Sequence, residues 1–189
     1  IGTIEGCAPG EFCRDGATTD IPAPGCDTGF TVSRVTAILY GVRVGIVNAH
    51  PQSTDVKCRE LAIRQIFEEV NGRPPLALER YNLLLGDFNI DPFREDDVSV
   101  RLWNQYVGMP NEGKPYWYHS GPVEKMPPYP TSFLFFSKKT VDYIISNFAV
   151  GICVTLGETP GTVRLDGGRG MDHRAIFGRL YIPRNLAKQ

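Results

Sequence analysis

Four apolar runs in this chain each meet polar residues of a reactive type, and that arrangement limits the folds open to it. Residues 42–47 run into Asn48-Ala49-His50, and Tyr81-Asn82-Leu83-Leu84-Leu85 ends at Gly86-Asp87-Phe88-Asn89. Asp142 sits within Val141-Asp142-Tyr143-Ile144-Ile145, and Asp172-His173 precedes Ala175-Ile176-Phe177. Short apolar runs bounded by Gly, Asn and Asp read as buried strands. A rigid sheet presents reactive side chains at strand ends, so the four clusters are candidates for one shared site. Taken singly, each has an ordinary explanation: an Asp before a turn is commonly a cap or an Asx-turn, and a lone His is commonly a structural residue.

The remaining periodicity fills in a mixed architecture. Residues 32–40 and 42–47, broken by Gly41, read as a hairpin. Ser53, Thr54 or Asp55 can cap a helix whose apolar positions Ile63, Ile66, Phe67 and Val70 follow the i, i+3, i+4, i+7 rule, with Asn71-Gly72 as its stop. A second helix is expected over 96–107 with Val98, Leu102 and Tyr106 on one face, and a long Pro-, Gly- and aromatic-rich surface loop over 108–130. Further strands are expected at 141–146, 149–155 and 175–182, with a Gly-rich loop at 157–170. Residues 1–29 carry Gly, Pro, Thr, Asp and Cys without apolar period and read as an irregular segment. The pattern is α/β (α+β), with a mixed, mostly antiparallel sheet.

Composition narrows the class of partner. At 189 residues the chain is one domain or most of one. With 20 basic against 21 acidic residues it exerts no global pull on nucleic acid or an anionic membrane, so a phosphate-bearing ligand needs a local site. No run of 18 apolar residues occurs, so no transmembrane segment is expected. The opening Ile1-Gly2-Thr3-Ile4-Glu5 has neither a starting Met nor a signal-peptide pattern, and a mature or cleaved form is expected. Cys7, Cys13, Cys26, Cys58 and Cys153 lack zinc-site spacing. A local disulfide, Cys7 with Cys13 or Cys13 with Cys26, would staple the irregular segment and implies a secreted or otherwise exported protein.

Together the strand-end clusters hold two imidazoles, three carboxylates and two amides. That set suits hydrolysis of a phosphate ester with a divalent cation: a base for water, donors for phosphoryl oxygens, and oxygens for a hard cation. Acyl transfer fits worse, because no Ser or Cys lies in a nucleophile-elbow pattern.

Asn48-Ala49-His50, Gly86-Asp87-Phe88-Asn89, Thr131-Ser132 followed by Val141-Asp142-Tyr143-Ile144, and Asp172-His173 resemble, in order and spacing, the motifs of the endonuclease/exonuclease/phosphatase superfamily. That group includes deoxyribonuclease I, sphingomyelinases and inositol polyphosphate 5-phosphatases. The resemblance covers about residues 30–182; Met171 stands where the family more often has Ser. It implies a DNase I-like four-layer α/β sandwich. It further implies His173 as general base, Asp172 as its neighbour and a metal ligand, and Asp87 orienting water or binding metal. Asn89 would donate to a phosphoryl oxygen, His50 would stabilise or protonate phosphate oxygens, and Asp142 would lie near the leaving group or orient a histidine. Asn48 would buttress His50 through a hydrogen bond, and Thr131 would touch phosphate. The implied cofactor is Mg2+, or Mn2+ or Ca2+.

The family also carries an early strand ending in a Glu that is a principal metal ligand, and no counterpart precedes Asn48. The chain therefore resembles the C-terminal half of the fold, with residues 1–29 as a separate irregular stretch and 30–189 as that half. A companion half or self-association is expected to cover the inner face, and the isolated chain to turn over poorly. The substrate class stays open between nucleic acid, with Lys138-Lys139, Arg164 and Arg169 as a local basic patch, and phospholipid or inositol phosphate. Aromatics at Tyr116, Trp117, Tyr118, Tyr129, Phe133, Phe135 and Phe136 could enter a lipid interface, stack on bases or belong to the core. A non-catalytic half-domain that works by association is the reading from another class.

Overall fold

The central hairpin sets the frame. β3 (Phe30–Leu39) and β4 (Val42–His50) pair antiparallel from Leu39↔Val42 out to Thr31↔His50, and the turn is made by Tyr40 at φ 52° and Gly41 at φ 81°. Two left-handed residues match the twist of the flanking strands, which is why a two-residue loop closes here. The structure is a computed structural model that describes residues 3–4, 17–21, 26, 30–119, 130–133, 138–158, 161–162, 172–183 and 185–186.

From β4 the chain crosses through α1 (Val56–Phe67) to β5 (Asn82–Asp87), which lies parallel to β4. β8 (Asp142–Ser146) runs antiparallel to β5, and beyond it lie β7 (Tyr116–Tyr118) and β6 (Val107–Gly108). On the opposite edge β1 (Thr3–Ile4) and β2 (Ala17–Ile21) both pair with β3, giving among the described residues an eight-stranded mixed sheet that is mostly antiparallel. β9 (Val150–Thr155) and β10 (Ile176–Tyr181) form a separate antiparallel pair.

α1 and α2 (Val98–Tyr106) pack together on one face of the sheet. Asp55 caps α1 by accepting from the backbone N–H groups of Lys57 and Cys58, and Asp97 caps α2 by accepting from those of Ser99 and Val100. Beneath them Ala62, Ile63, Ile66, Val100 and Trp103 meet Val47, Leu84, Tyr143 and Ile145 of the sheet, all fully or nearly fully buried. Burying each large side chain contributes about 1.5–3 kcal/mol, so this layer carries most of the fold. The other face has a smaller cluster of Val42, Val44, Phe148 and Ala149, with Ile46, Leu83 and Leu180 against it.

Several sequence expectations shift. α1 stops at Phe67 rather than at Asn71-Gly72, because Val70 and Arg73 close a tight turn whose centre holds Asn71 at φ 53° and Gly72 at φ 74°. β6 and β7 lie inside the stretch read as surface loop, where Tyr116 and Tyr118 are buried and cannot enter a lipid interface. Strand segments β1 and β2 lie in the stretch read as irregular; there the long β3 offers an open edge to pair with. The disulfide is Cys26–Cys58, not Cys13–Cys26, with Cα atoms 5.7 Å apart; it joins the segment before β3 to the first turn of α1. The alternative Cys7–Cys13 pairing lies outside the described residues, as do Tyr129, Phe135, Phe136, Arg164 and Arg169.

Candidate active site

Strand alternation decides which side chains can meet. In β4 the residues of even number from Val42 to His50 share the face away from the helices. The registers Asn48↔Leu85, Leu85↔Ile144 and Asp87↔Asp142 put Asp87 of β5 and Asp142 of β8 on that same face and at the same level. Three strand ends thus deliver His50, Asp87 and Asp142 to one place.

His173 arrives from the chain leading into β10. Residues 131–133 form a small ladder with it: Phe133 N–H donates to the Asp172 carbonyl at 2.8 Å and Arg174 N–H to the Thr131 carbonyl at 2.6 Å, with Ser132 opposite His173. The result is a hydrogen bond of 2.8 Å between His173 Nδ1 and Asp142 Oδ2 across 31 residues of chain. Asp87 Oδ2 lies 3.7 Å from His173 Nε2 and 3.6 Å from His50 Nε2. Because an ionised carboxylate can only accept, the Asp142 contact places a proton on Nδ1 and leaves Nε2 as the basic atom of the neutral ring.

The turn after β5 needs unusual backbone. Gly86 adopts φ 139°, and a Cβ there would lie 2.2 Å from the Ala49 carbonyl oxygen. Asn89 is left-handed at φ 52°; its N–H donates to Asp87 Oδ1 at 2.8 Å, and its side-chain Nδ2 to the Pro51 carbonyl at 2.9 Å. An Asx-turn of this kind holds Asp87 in one orientation, with Asn89 beside it.

Electrostatics reflect the crowding. Burial raises the Asp87 carboxyl above the ordinary range, and the neighbouring Asp142 charge raises it further, against the Asn89 N–H and the two histidines. For His173 burial alone would favour the neutral ring, but the Asp142 hydrogen bond and the charges of Asp142, Asp87 and Asp172 outweigh it and raise the pKa. Ligating atoms of Asp87, Asp142 and His173 all lie within 4.8 Å of one another. The Asp87 and Asp142 oxygens, around surplus negative charge, are donors that fit a hard divalent cation, and the His173 ring stands beside them.

The other expected residues fall differently. Asp172 is exposed at the rim of the cleft and is outside the tight cluster. Asn48 makes no hydrogen bond to His50 among the described residues; its Oδ1 sits against Gly86. Thr131 is fully buried, and its Oγ1 accepts from the N–H groups of Val141 and Asp142 at 3.1 Å each, so it supports Asp142 and is shielded from phosphate. The cluster opens onto a cleft of about 920 Å3 whose farther wall includes Arg59, Glu95, Asp97 and Lys139. Sequence reading named Lys139 only as part of a basic patch and missed the other three, although Asp97 two residues before Ser99 carried a helix-cap signal.

No family model and no curated protein matches the chain. Solved structures do. An endonuclease/exonuclease/phosphatase from Bacteroides vulgatus superposes with a TM-score of 0.54 at 15% identity, over 83% of this chain and 57% of its own. The catalytic domain of human Nocturnin with bound sulfate gives 0.55 at 15%, over 88% and 58%. D. rerio TDP2 complexed with a single-strand DNA product gives 0.53 at 14%, over 87% and 67%. This chain therefore spans between about half and two thirds of the length of the structures whose fold it shares.

Proposed function

We propose that this chain, whose fold is that of the endonuclease/exonuclease/phosphatase superfamily, carries the catalytic face of a metal-dependent hydrolase of phosphate esters. The observation that carries the reading is the convergence of His173, Asp142 and Asp87 on one cleft, with an Nδ1 to carboxylate contact of 2.8 Å. His173 Nε2 takes the proton of the attacking water while Asp142 fixes the ring tautomer and steadies the imidazolium that forms. Asp87 orients that water, and His50, opposite it, donates to the phosphoryl oxygens. The second Nδ2 hydrogen of Asn89, left over after the Pro51 contact, serves the same charge. Asp87 and Asp142, with Asp172 at the rim, would hold Mg2+, Mn2+ or Ca2+ through oxygens, and the cation when bound supplies charge neutralisation at the phosphoryl group.

The neighbours point to phosphate chemistry in general: one was solved with sulfate and another with a DNA product. Nuclease-type, sphingomyelinase-like and inositol-phosphatase-like activities are the readings within that class. The Cys26–Cys58 cystine favours an oxidising compartment and hence export, and no helix of the described residues is long and apolar enough to cross a membrane.

Association with a second polypeptide or a second copy is supported by one further observation. β9 and β10 expose Val150, Ile152, Phe177 and Tyr181 on one face, each more than half accessible. That apolar strip suits a partner layer.

The test pairs Mn2+ calorimetry with hydrolysis of bis(p-nitrophenyl) phosphate. Wild type is expected to bind Mn2+ and to hydrolyse the ester slowly but measurably, Asp87→Asn to bind at least about tenfold more weakly, a loss of about 1.4 kcal/mol, and His173→Ala to keep binding while losing that slow turnover. Equal Mn2+ affinity in wild type and Asp87→Asn, or turnover retained by His173→Ala, refutes the assignment.

A further inference from the structure

We propose that the cleft beyond the phosphoryl centre is built for a hydroxyl-rich group without charge of its own, so that the substrate is the phosphate ester of a sugar or polyol. The inference rests on the hydrolase reading above and names its substrate class. A cleft of about 920 Å3 is far larger than a phosphoryl group requires and falls in the size range of small-molecule sites.

The farther wall joins the loop before α1 to the N-terminus of α2 through Ser53, Thr54, Arg59, Glu95, Asp97 and Lys139. Its two cations are already committed. Arg59 is 5% exposed, with Nη2 2.7 Å from Asp97 Oδ2, Nε donating to Ser99 Oγ and Nη1 to the Ser53 carbonyl. Lys139 Nζ lies 2.6 Å from Glu95 Oε1.

These pairs exclude three leaving groups by their chemistry. A polynucleotide needs uncommitted cations along its backbone and aromatic platforms for its bases, whereas here each cation is matched by a carboxylate and no aromatic side chain lines the cleft among the described residues. An acyl chain needs an apolar wall, and Val56 and Val141 are the only aliphatic lining residues among those described. A second phosphate would meet Glu95 and Asp97 at the same range as Lys139 and Arg59.

What the wall does offer is alternating donors and acceptors. The Glu95 carboxylate, which accepts from Lys139 and the Asp91 N–H, keeps lone pairs for incoming hydroxyls, whereas Asp97 is filled by Arg59, the Ser99 hydroxyl and the Ser99 and Val100 N–H groups; the Ser53 and Thr54 hydroxyls can donate or accept. The Lys139 side chain is 43% exposed, so its ammonium can give a second hydrogen while holding Glu95. Neighbouring hydroxyls on a sugar ring match such a sequence, and an uncharged ring leaves both ion pairs intact.

Calorimetric titration of the full chain in Mn2+ tests this with three probes: inorganic phosphate, glucose 6-phosphate and a single-stranded oligodeoxythymidylate. Glucose 6-phosphate is expected to bind at least tenfold more tightly than inorganic phosphate and than the oligonucleotide. In Thr54→Val, and in Thr54→Val combined with Glu95→Gln, the ratio of glucose 6-phosphate to phosphate affinity is expected to fall severalfold toward one. Equal affinity for phosphate and glucose 6-phosphate, preference for the oligonucleotide, or an unchanged ratio in both variants overturns the proposal. Hydrolysis of bis(p-nitrophenyl) phosphate, run in parallel, separates the two levels. Preference for the sugar ester without any turnover counts against the hydrolase reading alone, and turnover without that preference counts against the subsite alone.

Discussion

Acid should unfold this protein partly through one imidazole that does not line the cleft. His119 is 2% exposed, and burial pushes its pKa down to about 4 from 6.5, against a smaller opposing effect of the Gly151 backbone carbonyl. Its Nε2 lies 2.8 Å from Ser146 Oγ, which already accepts from the Ala149 N–H at 3.0 Å, so the serine hydroxyl is free to donate to a neutral ring. Protonating Nε2 would turn that acceptor into a donor facing a donor. The folded pKa is below the unfolded one, so the unfolded chain binds the extra proton, and stability falls as pH drops through 6.5 toward 4. Linkage puts the loss at about 2 kcal/mol between about pH 7 and about pH 5, and about 3 kcal/mol once the pH lies below both values. Glu68 and Glu79, whose carboxyls are held below the ordinary value, lose their contribution only at lower pH. Urea melts followed by fluorescence of the buried Trp103 would measure the slope in wild type and in His119→Gln, which keeps a polar partner for Ser146 without titrating. The variant should lose most of the difference between the two pH values. Identical slopes in both proteins would refute the assignment of the acid sensitivity to His119.

Four other expectations follow from the geometry. Reducing Cys26–Cys58, or replacing both residues by Ser, releases a loop of 32 residues and should destabilise by about 3–4 kcal/mol in the loop-entropy account, read as a drop in the urea midpoint. Thr131→Val leaves the Val141 and Asp142 N–H groups without their acceptor; it should cost about 1–3 kcal/mol and lower turnover through misplaced Asp142, which an unchanged kcat would contradict. Gly86→Ala forces a Cβ onto the Ala49 carbonyl and should lose at least about 3 kcal/mol or fail to fold. Without metal, Asp87→Asn relieves a buried charge beside Asp142 and should raise stability by roughly 0.5–1 kcal/mol, while weakening Mn2+ binding; thermal melts with and without Mn2+ should move in opposite directions relative to wild type.

The strands that carry the site were legible because they are short apolar runs ending in polar residues, and their bounds moved by only a few residues. β6 and β7 were hidden because Tyr116-Trp117-Tyr118 is too short to show alternation and is surrounded by Gly and Pro. Partnerships were harder to read than positions. Nothing local says that Cys26 meets Cys58, or that Lys139 reaches Glu95 across 44 residues, because strand order and helix packing create those contacts. Thr131 shows the limit most clearly: its hydroxyl was expected at phosphate, yet it lies beneath β8, satisfying the backbone that holds Asp142. Val70 shows how a local pattern misleads, since its helical spacing was outweighed by the Asn71-Gly72 turn.

The pairing of Asp87 with Asp142 across β5 and β8 ties chemistry to packing in a way that constrains how the protein can change. The same alignment turns Leu84, Tyr143 and Ile145 toward the helices and the two carboxylates away from them. A slip of one residue between these strands would send acids into oil and tyrosine into water at once. Variants that survive must therefore keep this ladder in step, so change is channelled into positions off the paired strands, where a side chain can be exchanged without shifting the register.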